Sequence, residues 1–229
     1  MGARHSLVAV GLIINSMPDC CTPKGYRWIF SERSARTEAK RYRKRGLDGT
    51  SNSIVDFLKK RGVSGETVLE VGGGIGAIQI ELLKAGATRA TSIELTPTYE
   101  DVAVGLLAET GMTGRVDRRV MDFAEGEKLV EAADVVVMNR VVCCYPDMPR
   151  LVHAASRHAR RVLVMTYPTK NPVFVALIGT ANALLRLFRR EFHIFLHSPE
   201  AILATSSEDG MSVALNDKGI LWTTAALIR

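Results

Sequence analysis

Five short β-rich runs, each followed by enough chain for a helix, constrain this sequence more than any other feature. The runs are Thr67–Val71, Ala90–Leu95, Val116–Met121, Asp134–Met138 and Arg161–Thr166. Between them Ala77–Ala85, Thr98–Thr110, Gly126–Ala132 and Met148–His158 read as helices, and Ser51–Arg61 reads as a helix entering the first strand. Strands joined by helical crossovers pair in parallel, because the connection must travel back along the sheet before the next strand begins. The C-terminal part changes character. Met211–Leu215 and Ile220–Ile228 flank the turn-forming Asn216-Asp217-Lys218-Gly219, which predicts an antiparallel hairpin. The expected fold is α/β: a seven-stranded mixed sheet, mostly parallel, closed by a C-terminal antiparallel hairpin, with helices on both faces.

Composition removes several alternatives. Of 229 residues, 47% are hydrophobic and 24% charged, which is globular and neither disordered nor coiled-coil composition. No apolar run reaches the ~18–20 residues needed to span a bilayer. Arg4 followed by Leu7–Ile14 imitates a secretory signal, but the run is short and no small-x-small cleavage site follows it. Cysteines fall in two adjacent pairs, Cys20-Cys21 and Cys143-Cys144, at the spacing of neither a disulfide framework nor a metal site. A reducing cytoplasm is therefore the expected location, and no metal is expected. The net charge of +6 is concentrated in Ser31–Arg45, where Arg33, Arg36, Lys40, Arg41, Arg43, Lys44 and Arg45 face only Glu32 and Glu38. Such a helix is a solvated face or a contact for nucleic acid, anionic lipid or an acidic substrate.

The run Glu70-Val71-Gly72-Gly73-Gly74-Ile75-Gly76 stands between the first strand and its helix. Glycines there permit a tight turn and let a ligand approach the backbone. Gly72, Gly74 and Ala77 fit a loose dinucleotide fingerprint, with Glu94 placed to accept from ribose hydroxyls. Glu70 and Asp122 argue for a different ligand. A pyrophosphate repels carboxylates beside its cradle, whereas a cofactor carrying an ammonium and a sulfonium attracts them.

The successive stretches VLEVGGGIG, SIEL, VMDF and DVVVMNRV resemble the motifs of class I S-adenosylmethionine-dependent methyltransferases, over roughly Ser51 to Arg229. The resemblance implies a Rossmann-like sheet that binds S-adenosyl-L-methionine. It places Glu70, Gly72, Gly73 and Gly74 at the methionine end, Glu94 and Leu95 at the ribose, and Asp122 and Phe123 around the adenine, with Asn139 completing the set. Asp122 equally suits a helix cap. Domain organisation follows: 1–46 forms an N-terminal arm and basic lid helix, and 47–229 forms the methyltransferase domain, with 169–197 an apolar cover inserted before the hairpin.

Acceptor chemistry is expected at the carboxyl ends of the strands, hence at Asn139-Arg140-Val141-Val142-Cys143-Cys144-Tyr145-Pro146-Asp147. This loop lacks the NPPY of adenine-N6 methylation and the Pro-Cys order of cytosine-C5 methylation. Cys144-Tyr145-Pro146 and Phe195-Leu196-His197-Ser198-Pro199-Glu200-Ala201 are similar to segments of magnesium-protoporphyrin O-methyltransferases, in which a histidine stands where this chain has Cys144. The candidate catalytic residues are Arg140, Cys144, Tyr145 and His197. Pro172–Phe188 is apolar on nearly every face and needs cover from the sheet rim, a second copy, a substrate or a membrane interface. The expected function is in-line methyl transfer to a small hydrophobic or amphiphilic acceptor, with peripheral membrane contact and a homodimer as further contacts. The alternatives are an RNA methyltransferase using the basic helix, which aromatics at only 6% do not favour, and an NAD-dependent oxidoreductase.

Overall fold

The structure is a computed structural model describing residues 26–27, 29–190 and 192–229. Arg4, the Leu7–Ile14 run and the Cys20-Cys21 pair lie outside the described residues. Two N-terminal helices, α1 (Glu32–Arg45) and α2 (Gly49–Lys60), precede the alternation β1 (Thr67–Val71), α3 (Ala77–Lys84), β2 (Arg89–Glu94), α4 (Glu100–Glu109) and β3 (Val116–Val120). There follow α5 (Phe123–Gly126), β4 (Ala133–Met138), α6 (Met148–His158), β5 (Ala159–Pro168), α7 (Pro172–Leu187), α8 (Pro199–Glu208), β6 (Ser212–Lys218) and β7 (Trp222–Ile228).

The strands form one seven-stranded sheet in the order β3-β2-β1-β4-β5-β7-β6. β1 to β5 pair in parallel, and β7 runs antiparallel to both β5 and β6. Strand alternation sends Leu69, Val136 and Leu163 to one face, under α6 and α8 through Leu151, Val152 and Ile202. Val68, Val135 and Val162 face the other side, against Ile54, Leu58 and Leu82 of α2 and α3. Burial on both faces is what makes these strands continuous apolar runs in the sequence. The chain winds outward in opposite directions from β1 and β4, so a crevice opens above their carboxyl ends, the position at which such sheets bind ligands.

Two local expectations are corrected. The helix expected at Gly126–Ala132 is instead the short α5, followed by a 3₁₀ turn at Glu127–Leu129. Asp122 caps this helix early by accepting from the amides of Ala124 and Glu125 at 2.9 and 3.2 Å. Downstream carbonyls then find side-chain donors: His158 Nε2 lies 3.0 Å from Glu127 O and from Val130 O, and Arg119 reaches Leu129 O at 2.8 Å. The hairpin turn also moves. Asn216, Asp217 and Lys218 continue β6 opposite Ala225, Thr224 and Thr223, and the chain reverses at Ile220-Leu221, where Gly219 N–H donates to Trp222 O at 3.0 Å. Pairing with a long β7 outweighs the turn preference of Asn216 and Asp217.

Candidate functional site

The cleft above β1 and β4 is built first by the glycine turn. Gly72 has φ +67°, and a Cβ there would stand 2.5 Å from Val141 Cγ2, so the loop after β4 packs directly on this backbone. Gly74 has φ +57° and turns its N–H onto Glu94 Oε1, joining the ends of β1 and β2. Left-handed backbone at both positions costs a residue with a Cβ what it does not cost glycine.

Five carboxylates line the cleft: Glu38 from α1, Asp48 from the α1–α2 junction, and Glu70, Glu94 and Asp122 at strand ends. Glu70 is buried, and among the described residues its Oε2 accepts only the Gln79 amide, at 3.3 Å. Burial, with the nearby Glu94 charge, raises its pKa to about 8. Glu94 is raised to about 7, again chiefly by burial, against the lowering pull of the Gly74 N–H. Burial raises Asp122 and Glu38 as well. Such a cluster holds its charge at a cost until a cation arrives. The one Lys or Arg among the lining residues is Arg140, whose Nε is buried with no partner among the described residues. Its guanidinium donates to Asp48 Oδ1 at 3.0 Å and lies 5.3 Å from the Trp222 ring centroid, on a backbone at φ +61°.

The loop after β4 is fixed by polar contacts. Asn139 donates to Ser51 Oγ at 3.2 Å and accepts from Thr166 Oγ1 at 2.9 Å, while the Arg140 amide donates to that same Thr166 oxygen at 2.7 Å. Tyr145 donates its hydroxyl to the Asp122 carboxylate at 3.2 Å, and burial beside that charge raises its pKa. Cys144 and Cys143 hold their sulfurs 3.6 Å apart, and the Tyr26 hydroxyl donates to Cys144 O. Phe195 N–H donates to Cys143 O at 2.7 Å, so both the N-terminal segment and the insertion are tied to this turn.

Every sequence-predicted site residue except His197 lines the cleft: Glu70, Gly72, Gly73, Gly74, Glu94, Leu95, Asp122, Phe123, Asn139, Arg140, Cys144 and Tyr145. His197 stands behind the loop, its Nε2 2.9 Å from Tyr145 O, and burial lowers its pKa. Sequence reasoning missed Glu38, Asp48 and Tyr99 of the lining and, behind it, Arg118. The Arg118 side chain is 6% exposed; it donates to Gly74 O at 3.1 Å and Ser92 Oγ at 3.2 Å and pairs with both oxygens of Glu100. Its only signal in the sequence was a charge in the middle of a strand, and two arginines adjoin there.

The cleft suits a ligand with an ammonium, a sulfonium and one carboxylate: carboxylates surround it and a single guanidinium keeps an unpaired donor. The chain matches the family described as a methyltransferase domain over residues 39–204. No curated protein matches it in sequence. Among solved structures it is similar to magnesium protoporphyrin IX methyltransferase from Synechocystis PCC 6803 with bound SAH, at TM-score 0.66 and 17% identity, covering 89% of this chain and 99% of that one. An O-methyltransferase family protein from Burkholderia thailandensis gives TM-score 0.62 and 20% identity over 87% of this chain and 63% of the other. A putative RNA methyltransferase from Pyrococcus horikoshii gives TM-score 0.55 and 17% identity over 78% and 81%. The family displaces the nicotinamide alternative, since the glycine turn and its carboxylates now have a cofactor of matching charge. With a methyltransferase domain matched across most of its length and the seven-stranded fold around this cleft, the chain belongs to the class I S-adenosylmethionine-dependent methyltransferases.

Proposed function

We propose that this enzyme methylates a small hydrophobic or amphiphilic molecule. The observation that carries the reading is the apolar wall over the cleft mouth. Tyr26 and Phe192 form its buried centre, with Phe30, Leu95, Cys144, Leu185, Ile194 and Phe195 packed around them. Tyr26, Phe30, Leu95 and Cys144 of that cluster also line the cofactor cleft, so an acceptor reaching the methyl passes an aromatic and aliphatic surface. The basic helix supports the nucleic-acid alternative less than its sequence suggested. Arg43 pairs with Glu109 at 2.7 Å, Arg36 with Glu32 and Arg41 with Asp48, which leaves less free charge for phosphates.

S-adenosylmethionine supplies a methyl group on a positively charged sulfur, a good leaving group. In this reading the chain's residues bind and align. Glu70 and the Gly72–Gly74 backbone hold the methionine end, Arg140 meets its carboxylate, Glu94 accepts from the ribose, and Asp122, steadied by Tyr145, sits at the adenine. Transfer to an acceptor oxygen, nitrogen or sulfur then needs in-line placement and exclusion of water, which the Tyr26–Phe192 wall provides.

The test is incubation of the protein with methyl-labelled S-adenosylmethionine and cell extract, followed by partition into organic and acid-precipitable fractions. Label in the organic phase is expected. Label in a nuclease-sensitive precipitate would overturn the reading in favour of RNA.

A further inference from the structure

Helix α7 is inverted relative to an ordinary surface helix. Of its sixteen residues only Ile178 is buried. Val173, Leu177, Leu184 and Phe188 follow one another at four-, seven- and four-residue steps, with Leu187 beside them; at 3.6 residues per turn these fall on a single outward stripe. Their exposures decide the matter: Val173 is 69% exposed, Leu177 58%, Leu187 73% and Phe188 68%. The displaced hairpin turn extends the same surface. Ile220 is 82% exposed at the tip, and the tip is tied to the start of α7 by the Phe174–Trp222 ring contact and by Thr169 N–H donating to Leu221 O at 3.0 Å. The inner side of α7 contributes Leu185 to the apolar wall over the cleft.

From this arrangement we infer that the outer stripe of α7 and the Ile220-Leu221 tip form a docking surface for an anionic lipid bilayer. Charge selects this occupant over a second copy. From Lys170 to Glu191 the sequence holds Lys170, Arg186, Arg189 and Arg190 against Glu191 alone, a net charge of +3. A two-fold contact would set this patch against a second copy of itself, so that two surfaces of the same net positive charge meet. A surface of anionic headgroups instead complements this net positive charge while the acyl boundary takes the apolar stripe. The helix, ~24 Å long at ~1.5 Å per residue, lies in the interface and does not cross it. No helix among the described residues is long and apolar enough to span a membrane. The inference deepens the proposed acceptor class, since docking on this face sets the cleft wall beside the lipid phase; vesicle binding is measured without acceptor, so either reading can fail alone.

The test is flotation of the full chain with vesicles of phosphatidylcholine mixed with phosphatidylglycerol, and with vesicles of phosphatidylcholine alone. Binding to the anionic vesicles is expected, weakened by salt. The double variant Leu187→Glu/Phe188→Glu and, independently, Ile220→Asp abolish it, while Arg186→Gln/Arg189→Gln weakens it roughly tenfold or more. These positions are solvent-exposed, and unchanged S-adenosylmethionine affinity by calorimetry shows that the variants fold. Absence of vesicle binding, binding that the variants do not alter, or a dimer in sedimentation that Leu187→Glu/Phe188→Glu dissociates without any vesicle binding would each overturn the inference.

Discussion

Glu94 carries the most information per atom in the cleft. One carboxylate oxygen holds the Gly74 amide, and Oε2 takes no hydrogen bond from the described residues, which suits the proposed contact with the ribose hydroxyls. Replacing Glu94 by Ala removes charge-assisted hydrogen bonds of ~1.5–3 kcal/mol each, so S-adenosylmethionine affinity should fall roughly tenfold or more in calorimetry. Unchanged affinity would remove Glu94 from the ribose site. Gly72 offers a second test that separates two physical causes. Gly72→Ala suffers both its left-handed φ of +67° and the approach to Val141 Cγ2 at 2.5 Å. Adding Val141→Ala relieves the contact but not the backbone, so Tm and cofactor affinity should recover only in part. These residues were legible in the sequence because their chemistry is local: glycine marks unusual backbone, and an acid at a strand end marks the sheet's ligand-binding edge. Glu38 was not legible. It lies in a basic helix, and only packing of α1 on the body turns it towards the cleft.

Elements were read well where the local pattern and the pairing within the sheet agreed. β1 has the expected bounds, Thr67–Val71, β2 is displaced by a residue at each end, and β3 and β4 differ from expectation by a residue at one end. α5 and the hairpin turn departed because side chains distant in sequence, such as His158 and Arg119, or a partner strand supplied the hydrogen bonds that local propensity would have assigned elsewhere. β3 shows how an element acts on the site without lining it. Arg118 is a positioning residue: it clamps Gly74 O and Glu100, and its charge favours the ionised forms of Glu70 and Glu94. Arg118→Met leaves the Glu100 carboxylate without its partner, a loss of ~3 kcal/mol, or a Tm lower by roughly 6–12 °C. Calorimetric melting checks this. Titration of the variant with S-adenosylmethionine should also show weaker binding, and its unliganded cleft carboxylates a still higher pKa, which a residue of purely structural role would not produce. α1 belongs to the body through Ala35, Ala39 and Tyr42, which pack with Ile75, Leu106 and Leu107. Tyr42 donates to Glu81 at 2.6 Å, so Tyr42→Phe should lower stability by ~1 kcal/mol in denaturant unfolding.

Across the whole molecule, cofactor binding and pH are linked through the buried carboxylates. Glu70 near 8 and Glu94 near 7 both lie above the ordinary carboxylate value of 4.5. The folded, unliganded chain therefore holds more protons than the unfolded chain between these limits, and the stability these groups contribute falls as pH rises from 4.5 through about 8. A bound cation reverses the preference and draws protons off. S-adenosylmethionine affinity should consequently rise from about pH 6 to about pH 8.5, and binding near neutrality should release protons, visible as a dependence of the calorimetric heat on buffer ionisation enthalpy. Binding that is independent of pH across this window would show that these carboxylates do not face the cationic end of the cofactor.

The sequence alone determined the strand and helix alternation, the sheet with its terminal hairpin, and the glycine–carboxylate edge of the cofactor cleft. Each of these depends on periodicity or on residue types within a few positions of one another, and such short-range signals survive without knowledge of packing. Only the tertiary structure decided which charges meet in the cleft, that Arg118 braces the glycine turn from a neighbouring strand, that His197 stands behind the loop, and that the apolar stripe of α7 faces outward with the hairpin tip. Those outcomes depend on contacts between segments tens of residues apart, where burial and the satisfaction of hydrogen bonds select one arrangement from many that the local sequence permits.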